Sequence, residues 1–285
     1  MVEPVILSAL ETIEAAYEAH GVFGDGSPVP RAPTGFPCID ATIGGLSYGE
    51  LTVFGALPGV GKSTALLYMA RSMEKAGFTP GVVSVEDSPI TVGERIQSFY
   101  SGIAAIDVRM RGHEMRKSPQ AKKAVEISRN SKTLYAFPMQ KTLSDVLQTM
   151  DTLVKQGANV LIVDYLTAIQ STGDDMRASY SRVVNEIKTF SILRRVPVVL
   201  AAQMRRPSGK FYDEPHMSEL GETSFLERAA EIILLFWKTK EGATVGKLEK
   251  LKYSRQNTSK FLVTLDINTG NLITSEYTEP VENEE

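Results

Sequence analysis

The run GALPGVGKST at residues 55–64 gathers the groups needed to hold a polyphosphate. Gly59, Val60 and Gly61 make a tight turn in which the glycines permit backbone angles other residues avoid, so that backbone N–H groups can face an anion. That anion would also sit at a helix N-terminus, where unpaired N–H groups favour negative charge. Lys62 is placed to reach β- and γ-phosphates, Ser63 to offer a hydroxyl to Mg²⁺, and Thr64 to contact an α-phosphate. The strict form of this pattern begins with Gly, and here that position is Ala56, with Gly55 one residue earlier. A glycine-rich turn that binds nothing would look similar at this length, so context decides. The apolar LTVFG precedes the loop and the helix-forming STALLYMARSMEKAG follows it, giving the strand, loop and helix order that the chemistry requires.

Nucleotide hydrolysis also needs a carboxylate for the metal's water shell and a base that orients the attacking water, both at strand ends. LIVDY ends a buried-looking strand on Asp164, where a carboxylate is costly unless it faces a metal or a donor. VVSVED places Glu86 in the same position after another strand. The plainer alternative for either is a capping carboxylate, since Asp87 and Ser88 can begin the next helix. PVVLAAQ ends on Gln203, an amide able to report whether a γ-phosphate is present, or simply a satisfied polar strand end.

These residues need a scaffold that brings strand ends together, and the rest of the chain supplies one. Strand-like runs at 51, 81, 134, 159 and 197 alternate with helical patterns over 62–75, 89–103, 143–155 and 179–194. Most of the strands are continuous apolar runs, as expected for a mainly parallel sheet with helices on both faces. The last third is patterned differently. There EIILLFW, KLEKLKYS and KFLVTLDI, separated by short turns, read as an antiparallel extension of the sheet. Residues 1–20 carry Ile6, Leu10, Ile13 and Tyr17 at helical spacing, an amphipathic helix in need of a surface. A Gly/Pro-rich linker over 21–32 follows, then one domain over 33–275 and an acidic tail over 276–285.

Composition narrows the function classes. The 285 residues carry a net charge of −3, which argues against coating nucleic acid through bulk positive charge and leaves only local contacts. A single cysteine, Cys38, rules out an intrachain disulfide and fits a reducing cytosol, and no stretch approaches the length of a bilayer span. A soluble cytoplasmic protein is expected. Histidine and cysteine are too sparse for a metal cluster, so the metal expected is Mg²⁺ carried by ATP.

Taken in order, these segments resemble the C-terminal RecA-like motor domain of the DnaB-type replicative helicases, from about Ile6 to Leu272. TGFPCIDATIGGL at 34 is similar to that family's TGF-x-x-LD-x-x-x-x-GL segment, VSVED to its SLE, LIVDYLTAI to its IVIDYLQ and AAQMRRP to its SQL-x-R. PHMSELGETSFLERAAEIILLF resembles its PMLSDLRESG-x-IEQDAD-x-x-x-F. The resemblance implies a RecA-like P-loop NTPase core with an antiparallel C-terminal extension and an N-terminal linker helix that docks on the next subunit of a hexameric ring. It assigns Glu86 as catalytic base, Asp164 to the metal, Gln203 as sensor and Arg95 to the neighbourhood of the nucleotide base. The family's trans-acting Lys-x-Arg pair has no strict counterpart: KYSR sets Lys252 and Arg255 three apart, with Arg255 the first choice. Gly221, Ala229 and Glu231 replace an Arg and two Asp of the family. Its primase-binding helical domain is not matched in this sequence, so primase recruitment by that route is not expected.

Two segments are candidates to face single-stranded DNA in a ring's pore, 171–182 and 205–220. The second sets Arg205, Arg206 and Lys210 beside Phe211 and Tyr212, cations for phosphates and rings for bases, although a solvated loop has the same composition. The basic segment from Arg109 to Lys132 reads first as a solvated helical face. The leading expectation is a Mg²⁺-dependent ATPase that encircles single-stranded DNA and translocates or unwinds. A RecA- or RadA-like recombination or repair ATPase and a nucleotide-switched scaffold are the alternatives.

Overall fold

A computed structural model describes residues 8–20, 29–170, 176–205, 214–220, 223–253, 260–266 and 271–276. The elements follow in the order α1 (Ala9–His20), α2 (Pro37–Ile43), β1 (Leu51–Ala56), α3 (Lys62–Lys75), β2 (Pro80–Ser84), α4 (Pro89–Ser101), α5 (Ala105–Met115), α6 (Pro119–Arg129) and β3 (Leu134–Ala136). Then come α7 (Leu143–Lys155), β4 (Val160–Asp164), α8 (Met176–Arg194), β5 (Val198–Gln203), α9 (Thr223–Ala229), β6 (Ile232–Lys238), β7 (Thr244–Leu251), β8 (Lys260–Asp266) and β9 (Asn271–Glu276). The strands form one sheet in the order β3-β2-β4-β5-β1-β6-β7-β8-β9. From β3 to β6 all neighbours are parallel, and from β6 to β9 all are antiparallel.

The continuous apolar runs are explained by burial on both faces. Along β4, Leu161 and Val163 enter one core with α7 and α8, while Val160 and Ile162 enter the other with α2 and α3. Each such side chain contributes about 1.5–3 kcal/mol on leaving water, so the sheet's centre is fixed by its own sequence. On the second face Phe36, Phe54, Phe236 and Phe261 pack ring to ring, with centroids 4.7 Å apart for Phe54 and Phe236 and 5.8 Å for Phe236 and Phe261. This cluster joins the segment before α2 to the parallel strands and to β8.

Local signals set the helix ends. Ser88, Ser118 and Thr142 each accept a bond from the backbone N–H three residues on, at the start of α4, α6 and α7. The segment 109–132 is two helices, not one, and α5 is kinked at Arg111. Packed structure begins ahead of Pro33: Val29 and Ala32 are buried, and Ala32 exchanges backbone bonds of 3.0 and 2.7 Å with Leu46. In α1, Leu10, Ile13 and Tyr17 are 64%, 52% and 72% exposed, while Ile6 lies outside the described residues.

Candidate nucleotide site

The carboxyl ends of β2, β4, β5 and β1 lie side by side, the place where parallel α/β sheets bind ligands. β1 ends on Ala56, whose side chain points into the second core, so a methyl group is accepted where the strict pattern has none. The chain then turns through Gly59 (φ 76°) and Gly61 (φ 99°) into α3 at Lys62. A Cβ at either glycine would meet nothing within 4 Å, so these positions are glycine for their backbone angles and not for room. The resulting cleft has a volume of about 740 Å³.

Around this turn the sequence-selected side chains converge. Lys62 forms an ion pair with Asp164 and lies 4.6 Å from the centre of the Tyr165 ring. Ser63 Oγ donates to the other oxygen of Asp164 at 3.3 Å. Glu86 and Gln203 are exposed at neighbouring strand ends, and both line the cleft with Thr64. Val60 is half-buried against both cores and anchors the turn. A polyphosphate needs backbone N–H groups at a helix start, one ammonium, one hydroxyl and one carboxylate for the metal's waters, and this donor set fits a magnesium-bound nucleotide.

Two partners were not legible as such. Asp87, read only as a possible start of the next helix, forms an ion pair with Arg95, and Arg95 Nη1 also donates to Ser63 Oγ at 3.3 Å. Arg95 thus reaches toward the phosphate turn as well as lining the cleft near Ser98 and Phe99. Tyr165, next in sequence to Asp164, has its phenol pushed above the usual range by burial and then by the Glu86 charge. Adjacency to a predicted carboxylate was the one signal that could have found either residue.

The remaining candidates lie elsewhere. Arg205 is exposed just past β5, and its backbone N–H donates to the Glu219 carbonyl at 2.7 Å. Arg206, Lys210, Phe211, Tyr212, Arg255 and residues 171–175 lie outside the described residues. Lys252 follows β7 at the opposite edge of the sheet from the phosphate turn, where its ammonium sits 3.3 Å from Glu231. Glu231 is buried, accepts the Leu51 N–H at 2.9 Å and pairs with Lys188 at 2.6 Å. Burial pushes its carboxyl up, but the Leu51 N–H and the two ammonium groups outweigh this and hold it below the usual range. Its replacement of a family Asp therefore keeps a charge with a structural partner set. Among the described residues no group of three or more His, Cys, Asp or Glu is arranged to hold a metal, and no helix is long and apolar enough to cross a membrane.

Residues 32–263 match the DnaB-like helicase C-terminal domain family. The chain belongs to that family. Among DnaB-like relatives, it is 26% identical over 252 residues to a probable plasmid replicative DNA helicase of Chlamydia psittaci, covering 85% of this chain and 54% of the relative. It is 23% identical over 243 residues to the replicative DNA helicase DnaC of Bacillus subtilis, covering 83% and 52%. The chain thus spans about half the length of the curated relatives it matches. A solved DnaB-like replicative helicase superposes with a TM-score of 0.75 at 18% identity, over 95% of this chain and 67% of that one. A solved stand-alone ATPase domain superposes with a TM-score of 0.79 at 18% identity, over 95% and 100%. A KaiC-like protein of Pyrococcus horikoshii superposes with a TM-score of 0.60 at 17% identity, over 87% and 100%. The RecA-like fold is common to these structures and this chain.

Proposed function

We propose that this DnaB-like chain is a magnesium-dependent ATPase that drives movement along, and separation of, DNA strands as a ring of identical subunits. The observation that carries the reading is the convergence of Lys62, Ser63, Asp164, Glu86 and Gln203 on one turn at the ends of adjacent parallel strands. In this reading the amides around Gly59, Val60 and Gly61 hold the phosphates, with Lys62 on the terminal groups and Thr64 on the innermost. Ser63 and Asp164 hold the metal, which when bound neutralises charge on the terminal phosphates. Glu86 orients the attacking water, and Gln203 answers to the presence of the last phosphate. Arg95, held by Asp87, closes the side of the cleft toward the base.

Lys252 lies on the sheet edge away from its own phosphate turn, so any contact it makes with a terminal phosphate is with the neighbour's nucleotide. The same geometry holds for a finger at Arg255, three residues later in the chain. The exposed stripe of α1 is assigned to the neighbouring subunit, since an apolar helix face of this kind gains by being covered. Arg205, Arg206, Lys210 and Phe211 are assigned to single-stranded DNA, where a few cations per subunit become many around a ring. The relatives favour the replicative-helicase reading over a recombination or repair ATPase.

The test is ATP turnover with and without single-stranded DNA, read beside particle symmetry by electron microscopy. Rings and a several-fold stimulation by DNA are expected. Protein that stays monomeric at micromolar concentration with an ATP analogue and DNA sinks the ring. Turnover indifferent to DNA points instead to a nucleotide-switched scaffold.

A further inference from the structure

The most buried lysine among the described residues plays no part in the reaction just described. Lys247, in β7, is only 6% exposed, and a buried ammonium is costly without carboxylates to meet it. It meets two: Glu214 Oε1 at 2.7 Å and Glu249 Oε2 at 2.6 Å. Glu214 is in turn held by Lys260 of β8 at 2.5 Å, and Lys247 and Lys260 are directly paired across the hairpin. Burial works against both charges of the Lys247 and Glu214 pair, yet the ion pairs win, raising the lysine and lowering the carboxyl. Glu249 Oε1 also accepts the Met217 N–H at 3.4 Å. Residues 214–217 are therefore fastened to the β7–β8 hairpin, whose β7 strand leads directly into Lys252.

The other end of this short segment reaches the nucleotide side. The Glu219 carbonyl accepts the N–H of Arg205, two residues past Gln203. Leu220 is buried over β1 beside Leu235 and Met204, and a Cβ built on Gly55 would come within 2.4 Å of Leu220 Cδ2. Gly55, one residue ahead of the position where the strict phosphate pattern has its glycine, makes room for Leu220. Within seven residues the chain thus touches the strand that enters the phosphate turn, the strand that ends on Gln203 and the hairpin that continues to Lys252.

The geometry points to residues 214–220 as a tie that transmits nucleotide occupancy at the tip of β5 to the β7–β8 hairpin, with Glu214 as the positioning residue that locks it. This rests on the reading of Gln203 as sensor and of Lys252 as a group that faces the neighbour. Glu214 touches no nucleotide. Its ion pairs hold one arrangement of the segment, so a shift at Arg205 is delivered to β7 and β8 instead of being absorbed between them.

Hydrogen exchange of the full chain, with and without a magnesium-bound non-hydrolysable ATP analogue, tests the tie. In the unaltered protein the analogue is expected to slow amide exchange within 244–251 and 260–266 by about threefold or more. Glu214→Gln keeps the volume and leaves Lys247 paired with Glu249. It is expected to abolish that response while analogue affinity by calorimetry stays within about twofold. Leu220→Ala cuts the tie at its other end and gives the same loss by a different route, which guards against misfolding of either variant. A response preserved in either folded variant overturns the tie, as does an unaltered protein that binds the analogue without any response in these strands. A fall in affinity matching the loss of response makes Glu214 a plain prop of the site and overturns its role as coupler. Failure of the unaltered protein to bind the analogue sinks the nucleotide reading itself, a separate result.

Discussion

At the phosphate turn, two side chains carry roles that one substitution each can separate. Lys62→Ala removes the ammonium that pairs with Asp164 and that would reach the terminal phosphates. Turnover is expected to fall at least about a hundredfold, since a lost electrostatic donor at a developing charge is worth roughly 10²–10³ in rate. An unchanged circular dichroism spectrum would show that the fold survives. Glu86→Gln should leave nucleotide affinity near its starting value and slow turnover by about 10²–10⁴, the range for a lost general base. Calorimetry beside a phosphate-release assay separates the two effects, and normal turnover would remove Glu86 from catalysis. The positions of these residues were legible because each closes an apolar run, so the pattern that marks the strand also marks its tip. Asp87 and Arg95 were harder. Their pairing depends on α4 turning the chain back over the loop after β2, which no spacing of residues announces.

At the scale of elements, the parallel half of the sheet could be read from its unbroken apolar runs, and α3 and α7 begin and end where the sequence placed them. The antiparallel half was legible as strands, but its charges were not interpretable before the fold was known. Glu231 stood out only as a departure from a family pattern, whereas the structure shows it receiving Leu51, Lys188 and Lys252 at the amino ends of β1 and β6. A carboxyl held below its ordinary value of 4.5 adds stability above that pH, and the contribution is lost as pH falls through the lower folded value. Glu231→Gln is therefore expected to flatten the acid limb of a denaturation profile below about pH 4.5. At neutral pH it should cost about 3–5 kcal/mol by leaving the Lys188 ammonium without its partner. Urea melts across pH would check both, and an unaltered acid limb would show that Glu231 does not govern it. The Lys247 and Glu214 contact was invisible for a related reason: the residues are 33 apart in sequence and meet only because residues 214–220 cross β6 and β7.

For the molecule as a whole, α1 is the part that makes least sense alone. Its apolar residues are largely exposed, so a chain ending in solvent there would carry an unfavourable surface with no return. Replacing Leu10 and Ile13 together by Asp should dissociate the assembly, read by analytical ultracentrifugation, while each subunit keeps its melting transition. An assembly of unchanged size would free α1 of that role. The length of the sheet matters as well. Nine strands separate β3 from β9, and the phosphate turn and Lys252 occupy opposite rims near its middle.

That separation has a genetic corollary. A chain carrying Lys62→Ala and a chain carrying Lys252→Ala are each impaired, but by defects on different borders. Mixed during assembly, they create some junctions in which an intact ammonium from one chain meets an intact pocket from the other. A blend of the two crippled proteins should hydrolyse ATP faster than the average of its components, and a rate that merely interpolates between them would mean that catalysis draws on a single chain.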